Sequence, residues 1–103
     1  MSRSAAALPM SDATLGMVAE RFKALGEPAR LRILQALRDG ERCVGELEDD
    51  TGLNQANLSR HLQLLSTAGM VQRRKDGLFV YYELADRNVL KLCELMCGRL
   101  SPT

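Results

Sequence analysis

Two short helical patterns with only a few residues between them constrain the fold of this chain more than any other feature. The first is an amphipathic stretch over residues 44–48 that stops near Thr51-Gly52. The second covers residues 55–68, where leucines recur on one face and Asn54 is a candidate N-cap. So short a joint predicts a tight helix-turn-helix rather than two independent rods.

The periodicity changes directly after the second of these helices. Met70 and Val71 begin a run with the two-residue period of a strand, and a second β-prone run covers residues 78–84. Asp76-Gly77 lies between the two runs, and an Asp-Gly pair in that position is a strong hairpin signal. We therefore expect a two-stranded β ribbon with its turn at Asp76-Gly77.

Three further helices are predicted. Apolar residues recur at three- and four-residue steps over residues 11–25 and again from Asp86 to about residue 100. Between them, Pro28 suits the first turn of a helix that ends at Asp39-Gly40. The core face of that helix is expected to carry four residues: Leu31, Ile33, Leu34 and Leu37.

The composition fits one packed domain, because the chain has 103 residues of which 46% are hydrophobic and 26% charged. We expect a mainly α fold of five helices and the hairpin over residues 11–100, with a disordered tail over residues 1–10 and a short tail over residues 101–103. No apolar run approaches the roughly 18–20 residues of a membrane span, so no membrane is expected. An odd number of cysteines, three, favours a reducing, cytoplasmic compartment without a disulfide framework.

Charge is segregated along the chain although the formal net charge is only +1. Residues 41–50 carry five acids, whereas residues 51–75 carry four bases, one His and no acid. The acid-free segment contains the second helix of the helix-turn-helix and the first strand of the hairpin. This coincidence predicts a locally basic face for double-stranded nucleic acid.

The candidate DNA contacts are amide, hydroxyl and cationic side chains, which can hydrogen-bond base edges and phosphates. On the helix they are Gln55, Asn57, Ser59, Arg60 and Gln63, and on the hairpin they are Arg73, Arg74 and Lys75. The alternative for each set is an ordinary solvated surface. We interpret His61, which lies within the same helix, as a partly buried, hydrogen-bonded residue and not as a metal ligand.

The chemistry of an enzyme is missing from the sequence. It has a single His, no Gly-rich phosphate loop and no paired catalytic carboxylates or nucleophile-histidine arrangement at a readable spacing. Two Phe, two Tyr and no Trp also supply little for stacking on single-stranded bases. We therefore expect no enzyme.

A family pattern is carried by two segments and by the hairpin. Residues 22–34 read FKALGEPARLRIL, and residues 53–65 read LNQANLSRHLQLL, with Gly69 and a charged ribbon ending in Val80-Tyr81-Tyr82 after them. In these residues the chain resembles the arsenic-repressor (ArsR/SmtB) family of bacterial metal- and thiol-responsive repressors. The resemblance covers about residues 14 to 100.

This resemblance implies a winged-helix homodimer that represses transcription. The first and last helices would form the dimer interface, and the two fourth helices would enter successive major grooves of operator DNA. Apolar faces are available for that interface, at Leu15, Val18 and Phe22 on the first helix and at Val89, Met96 and Leu100 on the last.

The family's known effector sites match this chain only in part. Cys43 matches the first cysteine of the metalloid box, but Gly45 stands where the second would be. Asp86 matches one ligand of the zinc-sensing members, but Asn88 stands in place of a His. We expect neither a zinc site of that kind nor arsenite binding at the box alone.

A cysteine pair on the last helix is the remaining candidate for the effector site. Cys93 and Cys97 are four residues apart, which places their Cβ atoms about 5–6 Å from each other on one helical face. A disulfide needs about 3.5–4.5 Å, whereas a larger soft ion bridges two thiolates with less distortion. We expect trivalent arsenic or another soft metal ion as the effector, with Cys43 as a third ligand if the fold or the dimer partner brings it near, and no cofactor for folding.

Three alternatives stay open at this stage. The pair could instead be packed as small hydrophobic residues. A thiol-redox or reactive-sulfur sensor would oxidise Cys43 with Cys93 or Cys97 to a disulfide or polysulfide bridge. In a different class, the chain would be a winged-helix module that binds another protein.

Overall fold

The computed structural model describes residues 9–100. The predicted tails over residues 1–10 and 101–103 lie almost wholly outside the described residues and stay predictions. The helices are α1 (Asp12–Leu25), α2 (Pro28–Ala36), α3 (Val44–Thr51), α4 (Gln55–Thr67) and α5 (Asn88–Leu100), and the strands are β1 (Arg42–Cys43), β2 (Val71–Asp76) and β3 (Phe79–Leu84). The predicted mainly α fold with five helices and a hairpin is confirmed.

The hairpin is part of a three-stranded antiparallel sheet in the order β1-β3-β2. Asp76 pairs with Phe79, so the loop consists of Gly77 and Leu78, one residue later than the sequence predicted. Gly77 has a φ of 61°, and a positive φ at the first loop position is what a type II′ hairpin turn requires. The sequence did not predict β1, since two residues are too short a run to show a period.

The end of α3 is fixed by its cap. Gly52 adopts a left-handed φ of 76°, and its N–H donates to the Glu48 carbonyl. Thr51 is buried, and its hydroxyl donates to the Leu47 carbonyl (2.6 Å) and accepts the Leu53 N–H (3.2 Å). These bonds satisfy the polar groups of the turn, so the chain reverses sharply enough to place α4 across α3.

The start of α4 is fixed in the same way. The Asn54 side chain accepts the N–H of Asn57 at 2.9 Å, which confirms the predicted N-cap. Leu58, Leu62 and Leu65 are fully buried, so α4 is anchored in the core by one face and the opposite face is directed outward.

The core lies between α2, α3, α4 and the inner face of the sheet. Leu31 is an exception to the prediction for α2: it is 40% exposed, because the helix packs through Ile33, Leu34 and Leu37. The outer helices contribute little, with Ala24 as the only buried residue of α1. Within residues 9–100, no helix is both long and apolar enough for a membrane span.

Candidate nucleic-acid interface

The outward face of α4 carries the predicted polar side chains. Four of them are exposed and one, Asn57, is half-buried; the exposed set is Gln55, Ser59, Arg60 and Gln63. No acidic residue interrupts α4. The face can therefore offer amide, hydroxyl and guanidinium groups to base edges, which is the chemistry of major-groove recognition.

Asn57 and Arg60 act together on this face. The Arg60 Nη2 donates to the Asn57 Oδ1 at 2.8 Å, which directs the guanidinium along the helix toward its N-terminal end. The sequence pattern suggested two separate contacts. The structure shows them as a hydrogen-bonded pair, so the Asn57 side chain helps to orient Arg60.

The three cations of β2 are exposed but not equivalent. Arg73 and Lys75 share one face of the strand, and Arg74 lies on the other, since successive side chains alternate. Arg74 Nη2 is 2.6 Å from Glu41 Oε1, and its guanidinium carbon lies 4.7 Å from the centre of the Tyr81 ring. The hydrogen bond from Arg74 lowers the pKa of Glu41. Arg74 is therefore held by the protein, whereas Arg73 and Lys75 are exposed on the other face of the strand.

A second ion-pair network, which the sequence did not reveal, joins the sheet to α3. Arg42 Nη2 is 2.8 Å from Asp50 Oδ2, and Arg42 Nη1 is 3.5 Å from Glu46 Oε2. The four-residue spacing of Arg42 and Glu46 was the available signal. Part of the acidic cluster at residues 41–50 thus ties β1 to the helix-turn-helix.

His61 faces the interior of the domain. It is half-buried, and its Nδ1 lies 3.2 Å from Nη1 of Arg30 on α2. Burial, and then the charges of Arg30 and Arg60, lower the pKa of His61, while Glu27 opposes them. Arg30 carries only donors, so a neutral His61 must accept at Nδ1. The sequence interpretation of His61 as a hydrogen-bonded helix residue is in agreement with this contact.

The three cysteines have different surroundings. Cys97 is exposed on α5; Cys93, one turn earlier, is half-buried, and burial raises its pKa. Cys43 is half-buried beside Tyr81 at the start of α3, where its N–H donates to Glu46 Oε1 at 2.9 Å. Among the described residues, no group of three or more His, Cys, Asp or Glu side chains could hold a metal ion. Three-sulfur coordination is therefore not formed within one chain.

Large apolar side chains are exposed on the two terminal helices. They are Leu15, Met17 and Phe22 on α1 and Leu92, Leu95 and Met96 on α5. A cleft of about 280 Å³ lies between α1 and the start of α5, with Gly69 and Met70 of the α4–β2 turn in its lining. Much apolar surface is left uncovered here, which is typical of an association surface.

Comparison with known proteins identifies close relatives. The profile of bacterial regulatory proteins of the arsR family matches residues 27–73. An uncharacterised HTH-type transcriptional regulator of Mycobacterium tuberculosis, Rv0081, is 45% identical over 75 residues, or 72% of this chain. The matched part spans 66% of that relative's length, slightly less than two thirds.

Two solved structures are similar over most or all of the chain. The homodimeric winged helix-turn-helix DNA-binding domain of Mb0332 from Mycobacterium bovis is 38% identical, with a TM-score of 0.75 and coverage of 86% of this chain and 85% of that one. The transcriptional repressor BigR from Xylella fastidiosa is 28% identical, with a TM-score of 0.80 and coverage of 100% of both chains.

Proposed function

This chain belongs to the arsR family of bacterial regulatory proteins, and we propose that it is a homodimeric transcriptional repressor that binds operator DNA in the cytoplasm. One observation carries the proposal. The exposed face of α4, the second helix of the helix-turn-helix, is polar and free of acids, and β2, the strand that follows it, carries three exposed cations. The α4 face would read bases in the major groove, while Arg73 and Lys75 bind phosphates. A regulatory family also agrees with the expectation that the chain is not an enzyme.

The homodimer is supported by the apolar surface on α1 and α5. A single chain leaves Phe22 53% exposed and Leu95 71% exposed, and a second copy would cover both helices. Mb0332, a similar domain, is homodimeric. A two-fold dimer presents two α4 helices, and these would bind two half-sites about one helical turn apart.

DNA binding is tested with a duplex selected from a random-sequence library, by gel shift at several salt concentrations. The Arg60→Ala and Gln55→Ala variants should bind the selected duplex about fivefold more weakly or worse, since a lost base contact costs about 1–3 kcal/mol. Arg32→Ala removes the same charge from an exposed position on α2 and is the matched control. Lys75→Gln should lower the salt dependence, because one phosphate contact is lost.

Wild-type affinity in both α4 variants would contradict the recognition-helix assignment. If the wild type shows no salt-dependent binding to any duplex, the chain is a protein-interaction module instead.

The effector is proposed to act on thiols of α5. Cys93 and Cys97 lie on the helix whose other exposed residues would form the dimer interface, so an ion that bridges them would disturb that interface and change the separation of the α4 helices. Trivalent arsenic or another soft metal ion fits such a pair. Since three-sulfur coordination is not formed within one chain, Cys43 would take part only if the partner chain supplies it.

A redox or reactive-sulfur sensor, in which Cys43 is oxidised with Cys93 or Cys97, is the second candidate. In one chain Cys97 is exposed and Cys43 and Cys93 are half-buried. Such a sensor needs two sulfurs and no third ligand.

The two candidates are separated by adding arsenite under anaerobic, reducing conditions, and polysulfide in a parallel sample, to the protein–DNA complex. The Cys93→Ser, Cys97→Ser and Cys43→Ser variants are compared with the wild type. Release by arsenite that requires both α5 cysteines supports the soft-ion effector. In that case the affinity of the protein for arsenite should rise with pH, because thiolates are the ligands. Release by polysulfide alone, with a mass gain that links two cysteines, supports the redox sensor. If neither reagent releases DNA, the cysteines are packing residues.

A further inference from the structure

The first helix is attached to the rest of the domain by little apolar packing. Ala24 is its only buried residue, and Val18 and Leu25 are half-buried. Its large apolar side chains, such as Met17 and Phe22, are directed away from the core. Other contacts must therefore fix the direction of α1 relative to α4.

Arg30 supplies one such contact between three helices. Its Nε donates to the Ala24 carbonyl at 2.6 Å, and its Nη2 donates to the Lys23 carbonyl at 3.2 Å. These carbonyls belong to the last turn of α1, where the Lys23 carbonyl also accepts the N–H of the C-cap residue Gly26 at 3.1 Å. The remaining Nη1 lies 3.2 Å from Nδ1 of His61 on α4. A planar guanidinium held by three acceptors has little freedom to rotate.

Arg21 supplies a second contact at the C-terminal end of α4. Its Nε donates to the carbonyl of Ala68, the C-cap residue, at 3.2 Å. Ala68 and His61 are seven residues apart, which is close to two helical turns, so both lie on the same side of the helix. A single contact would let α1 and α4 rotate relative to each other, whereas two contacts spaced along α4 fix the angle between the two helices.

We infer that Arg21 and Arg30 are positioning residues that join α1 and α4 into one rigid lever. This inference rests on the proposed function, in which α1 forms part of the dimer interface and α4 enters the major groove. The lever transfers the geometry of the interface to the two recognition helices and so sets their separation and relative angle. Neither arginine needs to contact DNA for this role.

A rigid lever has a specific consequence for operator choice. Each base pair inserted between the half-sites moves them apart by about 3.4 Å and rotates one about the axis by roughly 35°. A dimer with fixed recognition helices accepts one spacing and discriminates against its neighbours. A dimer with loosely held α4 helices tolerates several spacings and binds the best one more weakly.

The test measures affinity for the selected operator and for derivatives with one or two base pairs added to or removed from the centre. The proteins are the wild type, Arg21→Gln, Arg30→Gln and the double variant. Arg32→Gln is the matched control, because it removes a positive charge from an exposed position of α2 that lines a cleft with Gln35 and Arg38, away from both contacts. Sedimentation and thermal melting accompany each measurement.

The ratio of affinities for the best and the shifted spacings should fall about fivefold or more in the double variant, at the lower end of ordinary couplings between sites. Each single variant should lower this ratio by a smaller factor than the double variant does. If the double variant does not fold, the single variants test the inference. The control should keep the wild-type ratio.

A uniform loss of affinity at every spacing would show that the arginines only stabilise the fold, and it would overturn the inference. A wild-type ratio in both single variants, or a wild type without any spacing preference, would also overturn it while the proposed function stands. If the wild type binds no duplex, the proposed function itself fails.

Discussion

At the residue scale, the environment of His61 makes a prediction about pH. Its pKa is lowered in the folded protein by burial and by Arg30 and Arg60, so below the usual value of about 6.5 the unfolded chain binds more protons than the folded one. The free energy of unfolding should therefore decrease as the pH falls from about 7.5 through 6.5 and on through the folded pKa. Urea unfolding at a series of pH values measures this decrease.

The His61→Gln variant is the control for this titration, because its amide can still accept a hydrogen bond from Arg30 and does not titrate. His61 is the single histidine of the chain, so most of the change between about pH 5.5 and 7.5 should disappear in the variant. An equal pH dependence in both proteins would contradict the assignment of the shift to His61.

At the element scale, α4 depends on its N-cap. The Asn54 side chain accepts the N–H of Asn57, one of the amide groups that the helix leaves without a partner. Asn54→Ala should lower the free energy of unfolding by about 1 kcal/mol. Asn54→Ser keeps a hydroxyl acceptor and should lose clearly less. Both are compared by urea unfolding at one protein concentration, since the stability of a dimer depends on it. Equal losses in the two variants would show that the cap is not the cause.

Ion pairs support the three-stranded sheet. The Arg74–Glu41 ion pair joins β2 to the residue before β1, and the Arg42–Asp50 ion pair joins β1 to α3. Exposed pairs of this kind contribute little stability each, and salt screens them. The Arg74–Glu41 pair engages Arg74 with the protein, while Arg73 and Lys75 of the same strand are exposed.

At the scale of the whole molecule, the homodimer prediction is the most direct to check. The wild type should sediment at twice 11.4 kDa, the mass of one chain. Leu95 is 71% exposed on α5, and Leu95→Glu would place a charge in the covered interface. This variant should sediment near the monomer mass at concentrations where the wild type is a dimer.

Leu78→Glu is the matched control for the dimer. The same change is made at the turn of the β2–β3 hairpin, where Leu78 is 99% exposed and belongs to neither α1 nor α5. It should leave the dimer intact. A monomeric wild type, or a Leu95→Glu variant that sediments as the wild type does, would contradict an interface through the terminal helices.

Local signals determined most of the secondary structure. These signals act within a few residues, so they can be recognised in the sequence. They are the N-cap Asn54, Gly52 after α3, Pro28 at the start of α2 and the leucine spacing of α4. The basic, acid-free segment is likewise a property of the sequence. Together with the family pattern, these signals predicted the fold and the surface proposed for DNA.

Only the tertiary structure decided which of the charged and polar side chains bond to distant parts of the protein. Arg74 meets Glu41 across 33 residues of chain, and Arg30 meets His61 across 31. No local pattern encodes such a contact, because it depends on how helices and strands are packed. The pairing of β1 with β3 was missed for the same reason. The periodicity of the sequence determines which side chains share a helix face, whereas the packing of helices and strands determines which residues each face contacts.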